Sequence, residues 1–194
     1  KIVGYIVAGN VDDKFDEISP EKLTHINYAF ANIKDGKIIE GNPKDVERLK
    51  KLNTLKKDNP ELKILISVGG WTWSGGFSEA VATKNDREQF ANSGICFLQK
   101  HKIDGIDLDW EYPGQPGAGN IHSPNDKENF TAILKLFRKK LDSVGEINNR
   151  NYLLTIATAA NEEYLKHVEL NKIHSYLDFI NIMSYDYQGG WNDS

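Results

Sequence analysis

The run Asp-Gly-Ile-Asp-Leu-Asp-Trp-Glu-Tyr-Pro at positions 104–113 limits what this chain can fold into more than any other stretch, because it puts carboxylates into what otherwise reads as a core strand. Residues 103–110 carry the apolar, alternating pattern of a buried strand. Strand side chains point to opposite faces in turn, so Asp107, Asp109 and Glu111 project together while Ile106, Leu108 and Trp110 point the other way. Neighbours at i and i+2 lie roughly 6.5–7 Å apart along a strand, close enough for ionised pairs to raise one another's pKa in a partly dry site. A solvated edge strand with an acidic outer face is the bland alternative. The large apolar groups opposite the acids and the Tyr-Pro stop argue against it.

At 194 residues with 39% hydrophobic content, the chain has enough apolar mass for a globular core. A net charge of −4 with acids and bases interspersed gives no nucleic-acid surface and no basic membrane face, so the composition points to a neutral polymer as partner. Cys96 is the only cysteine, which excludes an intrachain disulfide and a multi-cysteine metal site. Sitting on a helix, it reads as a small buried apolar group. No apolar run approaches a membrane span, and the sequence opens directly on a strand, so a secretory leader is expected to have been removed or never present.

Along the chain, strands are predicted at 2–7, 24–31, 62–68, 103–110, 152–159 and 178–185, with a hairpin turning at Asp35-Gly36. Between them fall a helix carrying Val46, Leu49, Leu52 and Leu55 on its apolar face, whose lysines 50, 51, 56 and 57 read as a wet surface, and a second helix over about 86–100. A third runs from Asn125 as N-cap to about residue 142, and one or two short ones occupy 162–176. Strand, loop and helix recur about every 30 residues, the pattern of a parallel sheet with helical crossovers. A doubly wound sheet would want a phosphate-binding turn after its first strand, and Ala8-Gly9-Asn10 lacks it; the Gly-rich run at 69–76 lacks the Lys-Ser/Thr of a P-loop. A (β/α)8 barrel concentrates chemistry at the C-terminal ends of its strands, which is where Trp71, Trp73, Glu111, Tyr112, Tyr185, Tyr187 and Trp191 fall. The predicted fold is therefore an α/β TIM barrel, short by two units because six strands are counted.

Aromatics beside carboxylates suit a sugar site, since pyranose rings offer flat C–H faces to indoles and hydroxyls to acids. A glycosidase needs one protonated carboxylic acid for the leaving oxygen, and Glu111, last in the row and nearest the mouth, suits that role. Its pKa is expected to be raised by Asp109, and that of Asp109 by Asp107. A Mg²⁺ or Ca²⁺ site is the rival use of three acids. In-line strand carboxylates fan along the axis instead of surrounding a point, and no nearby His or Asn completes a shell.

These residues carry a resemblance. The 104–113 run is similar to the D-x-x-D-x-D-x-E signature of glycoside hydrolase family 18 chitinases, Ser67-Val68-Gly69-Gly70-Trp71 resembles that family's S-x-G-G strand, and Met183-Ser184-Tyr185-Asp186-Tyr187 resembles its strand 6 motif. The likeness extends over the whole chain, including Gly4-Tyr5 and Asn27-Tyr28-Ala29-Phe30. It implies retaining hydrolysis of β-1,4-linked N-acetylglucosamine in chitin or chitooligosaccharides by substrate assistance, without an enzyme nucleophile, metal or cofactor. By position Glu111 would be the general acid and later base, Asp109 would hold the 2-acetamido group, Asp107 would share a proton with Asp109, and Tyr185 would donate to the acetamido oxygen. Asp186, Met183 and Tyr112 would line subsites, and Trp71, Tyr5 and Phe30 would be wall or floor aromatics. Tyr5, Phe30 and Met183 also suit plain core packing, and Trp73 and Trp191 suit sugar platforms or loop packing. Asp104, of opposite parity to the other acids, reads as structural, and the five histidines as ordinary.

The resemblance implies an extracellular enzyme. It also implies that strands 7 and 8 of the barrel are the missing partner, so the chain is expected to be a piece of a longer barrel. A near relative, an endo-β-N-acetylglucosaminidase acting on N-glycans, and a chitin-binding lectin on the same fold are the other readings. The lectins lack the acid at the place of Glu111, so its presence favours catalysis.

Overall fold

A computed structural model describes residues 1–189. Its strands are β1 (Val3–Val7), β2 (His25–Lys34), β3 (Lys37–Ile39), β4 (Lys63–Gly69), β5 (Gly105–Asp109), β6 (Leu153–Ala159) and β7 (Phe179–Met183). The helices are α1 (Ala8–Lys14), α2 (Asp45–Thr54), α3 (Phe77–Ala80), α4 (Lys84–His101), α5 (Asp126–Asn148), α6 (Glu162–Lys166) and α7 (Leu170–Ile173). Six strands pair in parallel in the order β1-β2-β4-β5-β6-β7, and β3 adds antiparallel to β2 through the Asp35-Gly36 turn. The sheet curls with helices on its outside, an incomplete (β/α)8 barrel in which β1 and β7 each pair on one side among the described residues.

The parity read from the sequence sets the layers. Ile106, Leu108 and Trp110 enter the apolar layer between sheet and helices, where the Trp110 ring stacks on Phe77 at 5.0 Å and meets Phe130 edge-on at 5.5 Å. Burying side chains of this size contributes roughly 1.5–3 kcal/mol each. That packing turns Asp107, Asp109 and Glu111 to the inside of the curl.

Several boundaries differ from expectation, each for a local reason. Residues 8–14 form α1, a helix without a capping side chain, in a stretch to which the sequence pattern assigned no element. α4 begins two residues before the predicted 86, because Thr83 and Asp86 close a capping box. α5 runs to Asn148, six residues past the predicted end, since Val144 and Gly145 continue its buried face. The residue that organises its start is Asp126 and not Asn125, whose side chain caps nothing: the buried Asp126 Oδ2 accepts from the backbone N–H of Ser123 at 2.7 Å and of Gly114 at 3.2 Å, and from Ser78 Oγ at 2.7 Å. On α2 the repeat of three drifts against the 3.6-residue turn, so Leu49 and Leu52 are buried while Val46 is exposed.

Lys56 is no wet surface residue. It reaches 2.5 Å from Asp104 Oδ2 at the base of β5, where Arg150 holds Oδ1 and the Ile64 N–H donates to Oδ2 at 2.8 Å. Asp104 is thus the structural acid its parity suggested. Cys96 is exposed on α4, on the face turned away from the core.

Candidate active site

All ten candidate site residues lie at the C-terminal ends of strands or on the inner face of the sheet. Asp107 lies deepest and is fully enclosed. β4 and β6 flank β5 with Ser67 and Thr155 in register with it. Asp107 Oδ2 accepts from Ser67 Oγ at 2.8 Å and from the Tyr5 hydroxyl at 2.8 Å, and Oδ1 from Thr155 Oγ1 at 2.5 Å and Asn181 Nδ2 at 3.2 Å. Donors from β1, β4, β6 and β7 therefore converge on one carboxyl. Burial still lifts its pKa above the ordinary range, against the pull of those four bonds. The Tyr5 ring is 41% exposed, but its hydroxyl is turned inward, and burial together with the Asp107 charge raises its pKa strongly.

Asp109, two residues on, is 4% exposed and its Oδ1 is buried without a hydrogen-bond partner. Its carboxyl is pushed up to about 8, first by burial and then by the charges of Glu111 and Asp107. Gly69 makes this approach of the strands possible: it sits at φ +101°, and a Cβ there would lie 2.5 Å from the Asp109 carbonyl oxygen and 2.6 Å from the Phe77 ring.

Glu111 lies just beyond β5 and is 8% exposed. Its backbone N–H donates to Ser74 Oγ at 2.9 Å and its carbonyl accepts from Asn120 Nδ2 at 3.2 Å. Its pKa is raised by burial, with the Tyr112 hydroxyl opposing and the Asp186 carboxylate adding to the rise. Repulsion along the acidic row was expected to lead. Burial is the larger cause for all three acids, and the charge that acts on Glu111 comes from Asp186 across the mouth instead of from Asp109.

Tyr185 and Asp186 follow β7. The Tyr185 hydroxyl is raised by burial and then by the charges of Asp109 and Glu111, so it is a neutral donor beside two carboxyls, although much of its ring is exposed. Asp186 takes a left-handed backbone at φ 56°. Met183 shares the strand face of Asn181, which points at Asp107, so it lies one step nearer the mouth. Tyr112 stands edge-on between Trp71, 6.3 Å away, and the buried Tyr164, 6.1 Å away. Trp71 is 52% exposed, its indole at the rim. Phe30 packs over Gly70. Trp73 lies against Gly41, which makes it loop packing. Trp191 lies outside the described residues.

Sequence reasoning assigned no role to Ser67, Thr155 or Asn181, which hold Asp107, nor to Ser74 and Asn120, which hold the Glu111 backbone. Parity marks Ser67, Thr155 and Asn181 as inward polar residues on apolar strands, and Ser67 also opens the S-x-G-G motif. Ser74 and Asn120 sit in loops and leave no such signal. Among the described residues no group of three or more His, Cys, Asp or Glu could hold a metal ion.

The chain matches the protein family described as "Glycosyl hydrolases family 18" over residues 1–194. It is 40% identical to chitinase A1 of Niallia circulans across 98% of this chain and 34% of that protein. It is 36% identical to chitotriosidase-1 of Mus musculus across 88% of this chain and 37% of that one. Among solved structures, the multi-modular, cell-surface-expressed chitinase ChiW from Paenibacillus sp. str. FPU-7 superposes with a TM-score of 0.92 at 42% identity, over 99% of this chain and 25% of that one. The chain thus spans about a third of the length of these curated relatives.

Proposed function

The chain belongs to glycosyl hydrolases family 18, and from that premise we propose that it forms part of a catalytic barrel that hydrolyses β-1,4-N-acetylglucosamine linkages in chitin or chitooligosaccharides by a retaining, substrate-assisted route. The observation that carries this reading is the single inward row Asp107, Asp109 and Glu111, all with raised pKa, with Tyr185 beside its upper two members.

In the first step protonated Glu111 gives its proton to the glycosidic oxygen as the bond to the anomeric carbon breaks. The substrate's own acetamido oxygen forms the new bond to that carbon, producing an oxazolinium ion. Asp109 accepts the acetamido N–H, and the Tyr185 hydroxyl donates to the acetamido oxygen, so both act on charge that develops during reaction. With its carboxyl pushed up to about 8, Asp109 holds a proton at neutral pH, which limits charge in the row until substrate arrives, and in this reading Asp107 shares that proton as Asp109 turns to the substrate. In the second step the Glu111 carboxylate takes a proton from water, whose oxygen bonds to the anomeric carbon and releases the acetamido oxygen. Two inversions give retention.

Trp71, Tyr112, Asp186, Met183, Tyr5 and Phe30 are the proposed substrate contacts. In this reading the remaining βα units of an eight-unit cylinder would pair with β1 and β7, which among the described residues each pair on one side. Chitin is an insoluble polymer too large for uptake, so the proposed place of action is outside the cell.

The test is product analysis of chitooligosaccharides with the full-length protein and its Glu111→Gln variant. Turnover should fall by about 10²–10⁴ in the variant while oligosaccharide binding persists. The first-formed product should be the β-anomer, and cellooligosaccharides, which lack the acetamido group, should not be cut. Full turnover by Glu111→Gln, or cleavage of the cello series, overturns the scheme.

A further inference from the structure

One side-chain amide joins the proposed acid to the exposed indole at the rim. Asn120 Nδ2 lies 3.0 Å from the carbonyl oxygen of Trp71 and 3.2 Å from that of Glu111, and its two hydrogens can serve both acceptors. The same two segments are crossed a second time by Ser74, whose Oγ accepts from the Glu111 N–H at 2.9 Å and donates to the Gly70 carbonyl at 2.8 Å. The Glu111 main chain is thus held at both its N–H and its C=O by groups that also hold the loop carrying Trp71.

The loop that presents Asn120 is itself anchored. Asp126 takes up the N–H groups of Gly114 and Ser123, and Ser78 Oγ lies 3.1 Å from the Ile121 carbonyl. Gly117 runs directly over the Glu111 carbonyl oxygen, in a space that any Cβ would fill. A displacement of Trp71 therefore has a short, hydrogen-bonded route to the Glu111 backbone and few ways to dissipate in the loop.

We infer that Asn120 is a positioning residue that couples sugar stacked on Trp71 to the placement of Glu111, so that a chain long enough to reach the rim is cleaved faster. This rests on the proposed hydrolysis. The physical basis is that binding energy from a remote sugar can be used to order the reacting groups, which raises kcat instead of only lowering KM.

The test measures kcat and KM of the full-length protein on chitooligosaccharides of increasing length, for the parent, Asn120→Ala and Asn120→Asp, each alone and combined with Trp71→Ala. Asn120→Asp keeps the side chain's shape while removing the donor, and serves if Asn120→Ala does not fold. In the parent kcat should climb once the substrate spans the rim. In either Asn120 variant that climb should shrink by about five- to tenfold, in kcat more than in KM, and Trp71→Ala should then cost less than it does in the parent. If the variants' length profiles run parallel to the parent's, displaced by one constant factor, Asn120 only closes a loop and the coupling is overturned. If the parent cuts no chitooligosaccharide of any length, the proposed hydrolysis falls and the coupling with it.

Discussion

At the scale of single residues, the balance at Asp109 is the one with the largest measurable consequence. An ordinary Asp titrates near 3.8 and this one at about 8, so between those values the folded state holds a proton that the unfolded state has released. Stability must then fall as pH rises through that window, by up to about 1.4 kcal/mol per pH unit, and level off above it. Asp109→Asn removes the titration, so thermal or urea unfolding of this variant should show a flatter profile from pH 4 to 8 and a gain over the parent at pH 8. An unchanged slope would mean that the carboxyl ionises freely in the fold. Asp107 differs in kind, because its four hydrogen-bond donors oppose the burial that raises it. Asp107→Asn would leave an amide facing four donors with a single acceptor oxygen, and is expected to lose about 3 kcal/mol of stability together with most turnover.

At the scale of elements, the segment from β5 to α5 is held mainly by one buried side chain. Asp126 ties the loop's two ends to each other and to α3, and no apolar core of its own supports the loop between. Asp126→Ala should cost about 2–4 kcal/mol, with three donors left unpaired, and should speed hydrogen exchange at Gly114 and Ser123 well before it affects α5. The cap of α4 is a smaller and separable contribution: Thr83→Ala removes one half of the box and should lower stability by about 1 kcal/mol without altering substrate turnover, checked by chemical denaturation. The parallel strands and the long helices, and their order, were legible because period-two and period-3.6 patterns are local, whereas the short helices α1 and α3 carry too little periodicity to be seen. The ends of the elements were not legible. α5 outran its predicted end because what keeps it going is contact of Val144 with the core, and its anchor falls on Asp126 instead of Asn125 because the donors it serves come from residues 78, 114 and 123.

At the scale of the whole molecule, the two ends of the sheet divide the labour that barrels of this type divide, with chemistry at the C-terminal ends of the strands and cohesion at the other. Asp104 embodies the second. It is 4% exposed and bridges Lys56, Arg150 and the β4 backbone at the foot of β5. Asp104→Ala should therefore destabilise by about 3 kcal/mol, as removal of one member of a buried pair does, while the pH profile of turnover keeps its shape. A shifted profile would show that the foot of the strand communicates with its mouth. By itself the sequence determined that Asp107, Asp109 and Glu111 share a face, that Asp104 does not, and that a parallel α/β barrel carries them, since alternation and strand-helix recurrence are properties of neighbouring residues. Only the tertiary structure decided what surrounds those acids. The donors to Asp107 come from 40 to 102 residues away in the chain, the charge acting on Glu111 belongs to Asp186, and burial outweighs repulsion along the row. The reason is physical: the depth at which a carboxyl lies and the groups that meet it are set by how strands curl and loops cross, and no periodicity within one strand encodes either.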